Sequence, residues 1–286
     1  MREISGLRGR RIGRWLLGAA IVGSVGLVSS AAHAEEAEDK PFSVSGSATF
    51  VTDYRFRGVS QSNNSVAVQG GLTVGHQSGL YAGFWASSLA GWGTFGGPNV
   101  ELDLFGGYKF ELGPAGIDAG FTVYTYPGGA DTTTFVELFA KISGSFGPVG
   151  ATGAIFYAPP QTPLGNWSAH PDSRIGDKED NIYLSGDFTY GISGTPITAK
   201  AHVGYSNGNP GLGPNGTSIA PTGSFADWLI GVDVVFGPVT LGFAYVDTSI
   251  SDTSADWSRL QPNFSKVPDG KPISNAQFVF SVTAAF

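Results

Sequence analysis

Side-chain parity constrains this chain more than any other feature. From Phe42 to Phe56 it reads FSVSGSATFVTDYRF: Phe42, Val44, Gly46, Ala48, Phe50, Thr52, Tyr54 and Phe56 share one parity, and Ser43, Ser45, Ser47, Thr49, Asp53 and Arg55 the other. A period of two belongs to the extended strand alone, so one face meets an apolar phase and the other meets polar groups or water. Twelve segments read this way, near residues 42–56, 66–75, 80–89, 100–110, 115–126, 134–143, 149–158, 181–191, 197–206, 225–236, 239–248 and 275–286. Each has about the length that a tilted strand needs to cross a bilayer, whereas strands of soluble domains average about five or six residues.

The connections alternate in length. Tight turns on Gln77-Ser78-Gly79, Gly113-Pro114, Gly147-Pro148, Gly194-Thr195-Pro196 and Gly237-Pro238 alternate with longer polar stretches near 57–65, 90–99, 127–133, 159–180, 207–224 and 249–274. Short turns at one end and long loops at the other are the layout of a transmembrane antiparallel up-and-down β-barrel, an all-β fold of about twelve strands. An even number places both chain ends on the short-turn side, expected to be periplasmic, with the long loops extracellular. Aromatics on the outward parity form two expected girdles: Tyr54, Phe56, Tyr157, Tyr205, Trp228 and Tyr245 toward the loops, and Phe42, Tyr108, Phe110, Tyr190, Phe236 and Phe286 toward the turns. The 43 Gly, 13% aromatic and 14% charged residues agree, since Gly disfavours helices and aromatics favour strands.

Before the first strand, Arg2, Arg8, Arg10, Arg11 and Arg14 precede an apolar run from Trp15 to about Val28, then Ala32-His33-Ala34. That order predicts a secretory signal peptide over residues 1–34, a short periplasmic segment over 35–41 and a barrel over 42–286. Removing the leader leaves 11 basic and 22 acidic residues, a formal charge of −11. Such a balance with no basic run excludes nucleic acid as a partner. The absence of cysteine excludes disulfides, thiolate metal sites and cysteine nucleophiles.

Asp53-Tyr54-Arg55-Phe56-Arg57-Gly58-Val59-Ser60-Gln61-Ser62, then Gln69-Gly70-Gly71, Gly79-Leu80-Tyr81-Ala82-Gly83, Trp85-Ala86-Ser87-Ser88, Glu101-Leu102-Asp103-Leu104 and Gly106-Gly107-Tyr108 carry a family resemblance. The sequence resembles the proteobacterial TorF porin family, most strongly over roughly residues 44–145. The resemblance implies an outer-membrane location and a pore. Phe286 on an outward-alternating strand resembles the mark by which the barrel-insertion machinery recognises its clients.

The alternation points Asp53, Arg55, Arg57, Glu101, Asp103, Lys109, Asp118, Glu137, Lys141, Asp187, Lys200, Asp227 and Asp233 inward, eight acids and five bases. Charges facing an aqueous lumen stay hydrated, and their acidic excess predicts a weak cation preference; cross-barrel pairing that merely stiffens the wall is the competing role for them. Arg55, Arg57, Glu101, Asp103, Glu137, Lys141, Asp187, Lys200 and Asp233 are the candidate selectivity residues. Arg55 and Arg57 are expected to rise toward the mouth on the first strand, opposite Glu101 and Asp103. Strand spacing gives roughly 20 Å between opposing backbones in a twelve-stranded ring, and inward Tyr81, Trp85, Phe105, Tyr124, Tyr126, Phe135, Phe139, Phe156 and Tyr183 narrow it to about 10 Å or less. The expected function is passive diffusion of ions and small hydrophilic solutes. The alternatives are a structural or adhesive barrel of little conductance and a channel for small hydrophobic solutes. No catalytic group, metal or other cofactor is expected: His76, His170 and His202 are scattered, and Asp172, Asp177, Glu179 and Asp180 lack the spacing of a calcium loop.

Overall fold

Each run of alternating residues forms a strand bonded to its neighbour in sequence, and the last returns to the first. In this computed structural model, residues 41–91, 97–165, 176–210, 219–251 and 272–286 are described. The expected leader over 1–34, the segment 35–40, His170 and Asp172 lie outside them. The strands are β1 (Phe42–Val51), β2 (Arg55–Phe56), β3 (Val59–Ser60), β4 (Ala67–His76), β5 (Leu80–Ser88), β6 (Val100–Leu112), β7 (Ala115–Thr125), β8 (Phe135–Phe146), β9 (Val149–Gln161), β10 (Glu179–Gly191), β11 (Ile197–Gly208), β12 (Ser224–Phe236), β13 (Val239–Thr248) and β14 (Gln277–Ala285). The twelve long strands close into an antiparallel barrel in which β1 pairs with both β4 and β14, and β2 and β3 form a separate small hairpin.

The closing pair is the shortest in register. Ser47–Val51 face Ser281–Ala285, and one further residue pair, Gly46 and Phe286, exchanges backbone hydrogen bonds of 2.8 and 3.0 Å. The Phe286 ring lies where a side chain on Gly46 would stand, 2.7 Å from an added Cβ.

Burial is inverted relative to a water-soluble domain. Val44, Leu104, Leu138, Leu184, Val203, Ile230, Phe243 and Phe280 are exposed on the outer face, Ile230 at 61%. Trp85, Tyr124, Glu101, Asp103, Glu137 and Asp227 are buried inside. An apolar exterior around a polar interior is what a strand ring gains by facing lipid. The expected rim aromatics Phe42, Tyr108, Phe110, Tyr190 and Phe236 are exposed toward the turns, and Tyr157 and Tyr205 toward the loops.

Three hairpins use the same two-residue turn. Gly113-Pro114, Gly147-Pro148 and Gly237-Pro238 join strands paired up to Leu112–Ala115, Phe146–Val149 and Phe236–Val239, with the glycines at φ 62°, 60° and 58°. A left-handed first residue followed by one that the proline ring fixes near −65° has the twist that antiparallel strands require.

The first long segment departs from the alternation. β1 ends at Val51, not at Phe56, and its partner β4 begins only at Ala67, opposite Val51. Thr52 still bonds β14, its N–H to the Phe280 carbonyl at 2.9 Å and its hydroxyl accepting from the Phe280 N–H at 2.9 Å. With no partner on the other side, the chain then leaves the wall and folds into the lumen. Asp53, Tyr54, Arg55 and Arg57 are buried, so Tyr54 and Phe56 belong to the interior rather than to the outer girdle.

Candidate functional site

The inward-folded segment is a two-residue hairpin. Arg55 faces Ser60 and Phe56 faces Val59, with Arg57 at φ 48° and Gly58 at φ 78° between them. Two successive left-handed residues are the requirement of the tightest hairpin turn. Its base is tied by Asp53, whose carboxylate accepts from Arg55 Nε at 2.6 Å and from the Ser60 and Ser62 hydroxyls at 2.5 and 3.2 Å. Burial raises the Asp53 carboxyl above the ordinary carboxylate range, with Arg55 and the two hydroxyls pulling the other way. Arg55 also donates to the carbonyls of Gly58 and Asn275 at 2.9 and 2.7 Å, which fastens the hairpin to the segment preceding β14.

The tip crosses to the far wall. Arg57 donates to Glu137 of β8 at 2.6 Å and to Asn181 of β10 at 3.0 Å, and its guanidinium lies 4.1 Å from the Tyr183 ring centre. Burial opposes the Arg57 charge, but Glu137 and the adjoining phenols outweigh it and hold its pKa above the ordinary value. Gly58 sits against Thr248 and Asp227 so closely that a Cβ there would collide with both. On the near side, Tyr54 packs edge-on to Trp85 at 5.4 Å and donates to Glu101 at 3.1 Å, and Phe56 meets Tyr124 at 5.9 Å. The hairpin therefore touches β5, β6, β7, β8, β10, β12 and β13 at the loop end of the lumen.

Around it lie three acids. Glu101 takes the Tyr54 hydroxyl, Glu137 takes Arg57 and the Tyr124 hydroxyl at 3.1 Å, and Asp103 is fully buried with no hydrogen-bond donor at either oxygen.

The wall carries three further groups. Asp118 stands between Lys109 and Lys141 across β6, β7 and β8, and it accepts the Tyr81 hydroxyl at 2.7 Å. Lys109 and Lys141 lie over the rings of Tyr81 and Phe139 at 4.7 and 4.6 Å. Opposite, His202 Nδ1 meets Asp187 at 2.7 Å, and its Nε2 meets the Tyr183 hydroxyl at 2.9 Å and Asp227 at 3.2 Å. Lys200 pairs with Asp233 at 2.6 Å.

All nine candidate residues of the sequence reading lie within the ring, but not as expected. Arg55 and Arg57 are on the hairpin and not on the first strand. They do not oppose Glu101 and Asp103 across an open mouth, because Arg55 turns back to Asp53 and Arg57 reaches past to Glu137. Lys200 meets Asp233, and Asp187 meets His202. The Tyr183–His202–Asp227 cluster was missed. Asp227 lies 25 positions from His202, and only the register of β10, β11 and β12 joins them. Among the described residues no three His, Cys, Asp or Glu side chains converge as a metal site.

Two solved structures of the KdgM porin, one of them in complex with disordered oligogalacturonate, resemble this barrel. They have TM-scores of 0.50 and 0.51 at 7% and 6% identity, covering 85% of this chain and 99% of each porin chain. At that identity the likeness is one of fold, a closed antiparallel β-barrel. No curated protein matches the sequence. A family model described as a bacterial protein of unknown function, Gcw_chp, matches residues 34–286. With nearly the whole chain inside that match, the protein belongs to the Gcw_chp family.

Proposed function

We propose that this protein is an outer-membrane channel for ions and small hydrophilic solutes, narrowed by its first loop and weakly selective for cations. One observation carries the reading: the ring turns an apolar face outward and ionisable groups inward, as a passage through lipid does. The resemblance to TorF porins and the fold shared with the KdgM porin support it. In this reading the short turns and both chain ends face the periplasm, and the long loops face the outside. The inward charges comprise eight acids and five bases, so cations are favoured. An acidic oligosaccharide like that of the KdgM complex would meet an acid-rich wall here, which makes small cations and neutral solutes the better fit. The reading is one of transport.

The hairpin's contacts with seven strands favour a second reading, a structural barrel with a closed lumen. Refolded residues 35–286 in a planar bilayer separate the two. Ohmic single-channel steps with a reversal potential displaced toward cations in a KCl gradient are expected. A silent bilayer containing correctly folded protein would leave the structural barrel.

A further inference from the structure

We infer that Asp103 is the seat of a cation-binding site, holding one small monovalent cation beneath the hairpin between Glu101 and Glu137. This deepens the channel reading by naming the ligand of its narrowest part, although binding and conduction are tested separately below.

Asp103 has no exposed surface, and neither carboxylate oxygen receives a hydrogen bond among the described residues. Its cross-strand neighbours on the inner face are Trp85 and Tyr124. The charges closest to it are Glu101 and Glu137, both acidic. The phenols and guanidinium groups nearby are committed elsewhere. The hydroxyls of Tyr54 and Tyr126 go to Glu101, and that of Tyr124 goes to Glu137. Arg57 is spent on Glu137 and Asn181, and Arg55 on Asp53. Three carboxylates thus share one guanidinium, so two of them need a proton or a further cation in a space closed to bulk water. A buried carboxylate in such surroundings stays charged only where a positive charge accompanies it, and otherwise takes up a proton.

The surroundings also define that charge. The acidic groups do not converge as the several-oxygen cage that a divalent ion demands. A monovalent ion balances a single carboxylate without a charge excess and gives up its hydration at lower cost than a divalent one. The hairpin covers the position from the loop side, through Tyr54 against Trp85.

The refolded barrel in detergent tests this without any current. At fixed pH and ionic strength, the thermal midpoint in potassium chloride is expected to exceed that in N-methylglucamine chloride, and to climb with the logarithm of the potassium concentration. Asp103→Asn is expected to abolish the difference, and Glu111→Gln, at an exposed position near the turns, to retain it. Thallium(I) soaked into crystals of the wild type is expected to scatter beside Asp103, and that position decides the matter even where Asp103→Asn fails to refold. Equal midpoints in the two salts, or a midpoint that follows pH alone because the carboxylates share a proton, would overturn the site. A barrel that binds potassium but passes no current would retain the site and defeat the channel.

Discussion

Arg57 joins the hairpin tip to β8 and β10 through one planar group, with two hydrogen bonds in its plane and the Tyr183 ring against its face. Removing one partner of a buried ion pair typically costs about 3 to 5 kcal/mol, because the other is left charged and unpaired. The remaining contacts of Tyr54 and Phe56 hold the near side and not the tip, so Arg57→Ala is expected to release the tip from the far wall. Single-channel recordings should then show steps severalfold larger than wild type. Arg57→Lys should fall between the two, since an ammonium keeps the charge but cannot fork to Glu137 and Asn181 while lying flat on Tyr183. Equal conductance in all three proteins would mean that the tip does not obstruct the path. Gly58 allows a matched comparison with Gly113. Both are left-handed, at φ 78° and 62°, but a Cβ at Gly58 collides with Thr248 and Asp227 whereas one at Gly113 meets nothing within 4 Å. Gly113→Ala should therefore cost only the left-handed backbone penalty of about 1 to 2 kcal/mol and leave conductance unchanged. Gly58→Ala should raise conductance as Arg57→Ala does.

At the scale of elements, eleven of the twelve expected strands were legible because lipid on one side and a polar lumen on the other enforce the alternation along most of their length. The turn-side ends fall within a few residues of the Gly-Pro pairs, where chemistry fixes the reversal. On the loop side β9 runs to Gln161 and β11 to Gly208, because strands can pair beyond the lipid where parity no longer has to be kept. The β1 boundary misled for a physical reason. Phe50, Thr52, Tyr54 and Phe56 keep one parity across the point where the chain leaves the wall, because an interior hairpin is itself extended. Nothing local distinguishes a strand facing lipid from one facing the other side of its own barrel. The pairing partners were illegible as well, since Arg57 meets Glu137 across 80 positions. The assignment of faces can be tested on β12. Ile230, near its middle and 61% exposed, should lose about 2 to 4 kcal/mol of folding free energy on replacement by Arg if it lies at the bilayer midplane. Urea unfolding from lipid vesicles measures this, and an unchanged midpoint would reverse inside and outside.

Considered as a whole molecule, the barrel has one joint unlike the rest. Eleven strand pairings link neighbours in sequence, but β1 and β14 meet across 234 positions, as in the hydroxyl contact between Thr49 and Thr283. Entropy grows slowly with loop length, at about 0.6 kcal/mol per doubling, so this closure costs roughly 3 kcal/mol more than a hairpin of a few residues. Its short register is supplemented by the Gly46–Phe286 backbone bonds and the Phe286 ring seated over Gly46. Assembly consequently has a waiting period. Until β14 docks, the intermediate is a sheet with two raw borders, each able to recruit another molecule. The interval before docking, more than the stability of the finished ring, then governs how much protein is lost to clumping. Gly46→Val fills the seat of the Phe286 ring and should lengthen that interval. Refolding would yield fewer heat-modifiable monomers on gels and more aggregate, at a rate that rises with concentration, while circular dichroism of the surviving monomer remains that of the native barrel.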